Sequence, residues 1–162
     1  MRCTIVVPHG NSAEKNAAMR AYGRGHPRLA ELLHDIAYLW VTRESFGRAI
    51  PMLQKLLVTR TGPGERALTL AILARAAAGT GERRLYEEAW SNSWSLINRP
   101  GAREDHARTL LELGRAAARL KDWIRMEQAI RLHTSQPARH ADRRITEQLA
   151  ELAAFARGHV AG

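Results

Sequence analysis

The chain has 162 residues, 45% of them hydrophobic and 25% charged, a balance that suits one globular domain with a real core and excludes a disordered or collagen-like polypeptide. Its formal net charge of +9 arises from 22 Arg and 3 Lys against 16 Asp and Glu, and the charge is spread along the chain rather than gathered in a tail. A single cysteine, Cys3, excludes an intramolecular disulfide, and no apolar run approaches the ~20 residues of a membrane span, so the sequence reads as a cytoplasmic protein without membrane association.

Residues 1–26 differ from the rest. Gly10-Asn11-Ser12, Gly23-Arg24-Gly25 and His26-Pro27 punctuate a weakly ordered segment, with a short helix expected over Ala13–Tyr22 and Ser12 as its N-cap. From residue 27 to 162 the pattern is helical. Leu29, Leu32, Leu33, Ile36, Ala37, Leu39 and Trp40 recur at helical spacing and predict an apolar stripe on a first helix that opens at Pro27. Ser45 is placed to cap a second helix, whose stripe is Phe46, Ala49, Ile50, Leu53, Leu56 and Leu57, with Pro51 expected to loosen or kink it. Gly62-Pro63-Gly64 breaks the chain before a third helix over about Glu65–Ala78, which ends at Gly79-Thr80-Gly81. A fourth is predicted over Arg83–Ile97, with Tyr86, Ala89, Trp90 and Trp94 inward. A fifth spans about Glu104–Leu120, a sixth opens at Trp123, and a seventh covers about Asp142–Phe155 with Ile145, Leu149 and Leu152 in line.

Two internal recurrences organise these helices into pairs. A small residue stands at the centre of each first helix, at Ala37, Ala74 and Gly114, with spacings of 37 and 40 residues. A large residue opens each second helix, at Phe46, Leu85 and Trp123, with spacings of 39 and 38. A small residue permits close helix crossing, and a large one fills the space beside it.

The segment Leu33, Ile36-Ala37, Trp40, Phe46, Ala49 and Leu53 resembles one tetratricopeptide repeat, and looser versions recur at Leu73-Ala74, Ala77, Gly81 and Leu85 and at Leu113-Gly114, Ala117, Asp122-Trp123 and Met126. The resemblance covers roughly residues 28–133. Its period is longer than the usual ~34 residues, and Pro63, Pro100 and Pro137 match the closing proline only loosely. What it implies is an all-α fold: a right-handed superhelix of about three antiparallel hairpins (about 28–58, 65–97 and 104–133) plus a C-terminal closing helix over about 142–156. Residues 67–89 and 110–123 also resemble the repeat halves of bacterial helix-turn-helix regulators, which implies a regulatory or oligomerisation domain whose DNA reader is absent or supplied by another chain.

The residues offer little reaction chemistry. The sequence holds no His-Glu-x-x-His, no cysteine pair, no His pair at i, i+4 and no phosphate-binding glycine loop, so no metal, cofactor or catalytic residue is expected. Tyr86, Trp90 and Trp94, at i, i+4 and i+8, read as core rather than as a stacking platform. In the family the first helix of each pair lines the concave face. The matching positions are His34, Asp35, Tyr38 and Thr42, then Arg75, then Arg108, Glu112, Arg115 and Arg119, all expected on the solvent side. His34, Tyr38, Arg75, Arg108, Glu112, Arg115 and Arg119 are the candidate partner-binding residues. Their arginines would pair bidentately with acidic side chains; the alternative is a solvated face with local pairs such as Glu112–Arg115. The family's carboxylate clamp is not matched, because His34, Asp35 and Tyr38 stand where Lys and Asn belong. The expectation is a non-enzymatic module that binds a partner protein or acidic peptide in a groove. A homodimer is an allowed variant, and direct nucleic-acid binding is the less favoured one.

Overall fold

Why the first helix of each pair stops where it does is explained by one turn used three times. In a computed structural model, which describes residues 27–103, 105–135 and 143–160, the helices are α1 (Pro27–Thr42), α2 (Phe46–Thr59), α3 (Pro63–Thr80), α4 (Arg83–Ile97), α5 (His106–Arg119), α6 (Trp123–Thr134) and α7 (Arg143–Val160). The helix expected over Ala13–Tyr22, and Cys3, lie outside these residues. At the α1–α2 turn the Ser45 amide donates to Trp40 O at 2.8 Å; at α3–α4 Glu82 donates to Ala77 O at 2.9 Å; at α5–α6 Asp122 donates to Ala117 O at 2.9 Å. The residue before each donor is left-handed, with φ of 58° at Glu44, 78° at Gly81 and 56° at Lys121. That is a Schellman closure, which satisfies the last carbonyls of a helix and turns the chain back. The turn recurs at the same 37- and 40-residue spacings as Ala37, Ala74 and Gly114, so the repeat read from side chains is also a repeat of backbone geometry.

Among the described residues the structure is all helix, with no strand. Short turns make each pair pack as neighbours, and the first helices follow one another, α1 against α3, α3 against α5 and α5 against α7. α3 sits at the centre and is buried almost all round, from Ala67 to Ala78 with Arg75 the lone half-buried position. Its run of Ala, Leu, Thr and Ile has no polar face, as a helix enclosed on every side requires. The two buried hydroxyls nearby find backbone partners: Thr69 donates to Glu65 O and Ser93, from α4, to Ala67 O, both at 2.8 Å.

Several expectations shift. Ser45 takes the N-cap position of α2 without a side-chain cap bond, and α2 continues through Pro51, whose missing N–H orphans the carbonyl of the exposed Gly47, where water can replace it. On α1 the buried line is His34, Ala37 and Val41, while Leu32 and Leu39 are 55% and 53% exposed. Among the described residues the helices packed directly on α1 are α2 and α3, and the buried strip of α1 is the side turned towards them. The glycine that needs its missing side chain is Gly79, where a Cβ would sit 2.3 Å from Phe46 Cδ2; at Gly114 the nearest atoms are Leu152 Cδ1 at 3.4 Å and Leu149 Cδ2 at 4.0 Å, both on α7. Gly114 therefore accommodates the closing helix rather than a crossing within its own pair.

Candidate functional site

The backbones of α1 and α5 come nowhere within 8 Å of each other at the level of their Cα atoms, and α3 runs between them. The gap is bridged by side chains. From α5, Glu112 is fully buried, and its carboxylate collects three donors: Arg75 Nη1 at 2.8 Å from α3, Arg115 Nη1 at 2.9 Å from its own helix, and the Tyr38 hydroxyl at 3.3 Å from α1. One acidic side chain thus ties together three helices that span 74 residues of sequence. A buried carboxylate is tolerated only when paired and hydrogen-bonded, and here both oxygens are used. Arg75, the charge that interrupts the apolar run of α3, is explained by this partner.

Arg108 lies one turn before Glu112 and lays its guanidinium over the Tyr38 ring, 4.9 Å from the centroid. Arg119, one turn beyond Arg115, donates to Glu44 Oε1 at 2.7 Å and covers the Phe46 ring at 4.8 Å, which secures the α1–α2 turn against α5. The Arg119 hydrogen bond also holds the exposed Glu44 carboxyl below the usual range. His34, one turn before Tyr38, is only 5% exposed. Desolvation, then the positive charges of Arg60 and Arg108, push its pKa down to about 4, against a weaker upward pull from Asp35, whose Oδ1 is 3.8 Å from Nδ1. The ring is therefore neutral at physiological pH.

All seven sequence-derived positions fall on α1, α3 and α5. Tyr38, Arg75, Glu112 and Arg115 meet in one network, Arg108 and His34 adjoin it at the N-terminal end of these helices, and Arg119 stands apart with Glu44. Two of them are not where the sequence put them: Glu112 and His34 are buried, not on the solvent side. Helical period specifies a face, and the side chains that cross the α1–α5 gap cover the part of that face they stand on. Arg60 and Glu44 were missed. Arg60 follows α2 just before the Gly62 break, where no periodicity assigns a direction.

A second polar cluster sits where α4 meets the α5–α6 turn. Tyr86 is buried and its hydroxyl donates to Asp122 Oδ2 at 3.3 Å, while Arg125 bonds the same oxygen at 3.3 Å and spans the Tyr86 and Trp90 rings. Burial, reinforced by the Asp122 charge, pushes the Tyr86 phenol up to about 12. Asp122 also caps α6 by accepting from the Arg125 amide at 3.2 Å. Tyr86 and Trp90 are core residues and Trp94 stacks on Trp90 at 6.0 Å, so this aromatic line is packing. A cavity of about 520 Å³ lies on the other side of α3, floored by Leu57, Leu70, Leu73 and Leu85 and rimmed by Gln54 and Glu88.

Among the described residues no group of three or more His, Cys, Asp or Glu is arranged to hold a metal ion, and no helix is long and apolar enough to cross a membrane. No protein-family model matches the chain, and no curated protein or solved structure matches it.

Proposed function

We propose that the chain is a non-enzymatic protein-interaction module, a tetratricopeptide-like array of three hairpins and a closing helix, whose first-helix face binds an acidic segment of a partner. The observation that carries the reading is the side-chain bridge across the α1–α5 gap. Arg75 and Arg115 are held at fixed positions by a buried Glu112, and Arg108 is held by Tyr38 without a carboxylate among the described residues. Preorganised guanidinium groups lose little freedom when they meet a carboxylate, and this is what separates a binding face from a merely solvated one. The array itself is supported by the threefold turn and by the succession of first helices.

The test is direct binding of fluorescent twelve-residue peptides of differing Asp and Glu content. Acidic peptides should bind, and should weaken as salt rises. Arg108→Gln should lower affinity at least tenfold, and Arg143→Gln, on the exposed side of α7, should leave it unchanged. Equal loss in both variants, or no acidic peptide binding, refutes the proposal. A second reading, self-association, is favoured by the 73% exposed Ile124 and the 50% exposed Phe155 at the α6–α7 end; light scattering across a concentration series reads it.

A further inference from the structure

We propose that Arg60 and Arg108, with His34 beneath them, form an oxyanion subsite that anchors a carboxylate or phosphoryl group of the partner segment. The inference deepens the interaction-module reading and rests on it.

Two buried side-chain nitrogens among the described residues have no hydrogen-bond partner, His34 Nε2 and Arg60 Nε. Orphaned buried polar groups are rare because each forfeits the hydrogen bond that water would give it, and one natural reason for keeping them is a ligand that completes them. Both orphans belong to one neighbourhood: Arg108 lies over the ring of Tyr38, one turn along α1 from His34, and the charges of Arg60 and Arg108 both act on His34. The same neighbourhood is where the charge balance of the face fails. Arg75 and Arg115 share Glu112, and Arg119 has Glu44. Among the described residues Arg108 has an aromatic ring but no carboxylate, and Arg60 has no carboxylate. Among the described residues the acidic neighbour of His34 is Asp35, 73% exposed and therefore well screened.

Among the described residues the surrounding elements add no acidic partner. From α3, Arg66 donates to the carbonyls of Leu57 and Arg60 at 2.6 and 3.0 Å, which fixes the end of α2. Arg75, also from α3, is committed to Glu112. Among the described residues α5 contributes Arg108, and α1 itself contributes Asp35. Arg60 and Arg108 are half-buried and His34 is buried. An oxyanion seated between two guanidinium groups finds charge-assisted donors in a partly dry setting, where such bonds are strongest. Its charge would favour the protonated His34 ring, giving Nε2 a hydrogen to donate, so binding takes up a proton.

The test titrates inorganic phosphate and, separately, glutarate into the isotope-labelled full chain, with the His34 ring followed by proton–nitrogen correlation spectra. The expected result is a saturable displacement of the His34 resonances and an upward move of its titration midpoint, with a tenfold preference for the protonated ring moving it by about one pH unit. Arg60→Gln and Arg108→Gln should each weaken the anion at least tenfold, and Arg131→Gln, on exposed α6, should not. Tighter phosphate assigns a phosphoryl group; tighter glutarate assigns a carboxylate. A His34 ring that answers neither anion in the wild-type chain, or that answers as strongly in Arg60→Gln and Arg108→Gln as in the wild type, overturns the subsite. These probes need no partner, so anion binding without any acidic-peptide binding would keep the subsite and sink the groove reading instead.

Discussion

Replacing Gly79 by alanine should destabilise the chain even though alanine is the better helix former. The added Cβ would lie 2.3, 2.4 and 2.6 Å from Cδ2, Cε2 and Cγ of Phe46, where carbon atoms normally stand ~3.5–4.0 Å apart. The ring must therefore retreat by more than ~1 Å. It has little room, because Phe46 is 7% exposed and the Arg119 guanidinium covers its face. Cγ is among the clashing atoms, so rotating the far edge of the ring does not relieve the overlap. Overpacking of this kind costs ~1–3 kcal/mol, offset by up to ~1 kcal/mol of helix propensity, for a net loss of roughly 1–2 kcal/mol. Phe46→Ala alone should cost ~3–5 kcal/mol. In the Phe46→Ala background the clash is absent, and Gly79→Ala should become neutral or stabilising by up to ~1 kcal/mol. Urea denaturation of the four proteins closes the cycle, with a coupling of ~1–3 kcal/mol, the size of the clash. Additive effects, or a Gly79→Ala protein more stable than the parent, would refute the assignment of Gly79 as the close-approach glycine.

Glu112→Ala should cost ~3–5 kcal/mol in urea denaturation, because it leaves Arg75 and Arg115 unpaired at the centre of the molecule. If Glu112→Ala melts like the parent, the bridge across α1, α3 and α5 contributes nothing to stability. A folded-state pKa of about 4 for His34, against 6.5 unfolded, means the unfolded chain binds a proton that the folded one refuses. The stabilisation of neutral His34 is therefore complete above about pH 6.5 and is lost as pH falls towards 4, by up to ~3 kcal/mol. His106 and His133, whose pKa values burial also lowers, act in the same direction. The stability difference between wild type and His34→Gln should hence shrink between pH 7 and 4.5, and a pH-independent difference would remove the argument. Lys121→Gly should raise the melting temperature, worth about 1 kcal/mol, by relieving a left-handed lysine at φ 56° in the position that Gly81 fills in the equivalent α3–α4 turn. A lower melting temperature would mean that Lys121 makes a compensating contact.

What the sequence determined by itself was local. Helix, pairing and repeat are encoded within a few residues: apolar spacing places α4 at the expected Arg83–Ile97, glycine and proline breaks separate the pairs, and the recurrence of Ala37, Ala74 and Gly114 foreshadows three equal turns. The same periodicity set His34, Tyr38, Arg75, Arg108, Glu112, Arg115 and Arg119 on first helices. What only the tertiary structure decided was distance between helices. Whether Glu112 meets water or Arg75 depends on α5 lying against α3, 37 residues away in sequence, and on Tyr38 reaching across from α1. Whether Gly79 or Gly114 is the tight position depends on where the Phe46 ring falls, which neither glycine's neighbours specify. A periodic pattern says which face of a helix is turned inward; only packing says what stands against it, and so whether a charge on that face is solvated, paired or left with an unfilled bond.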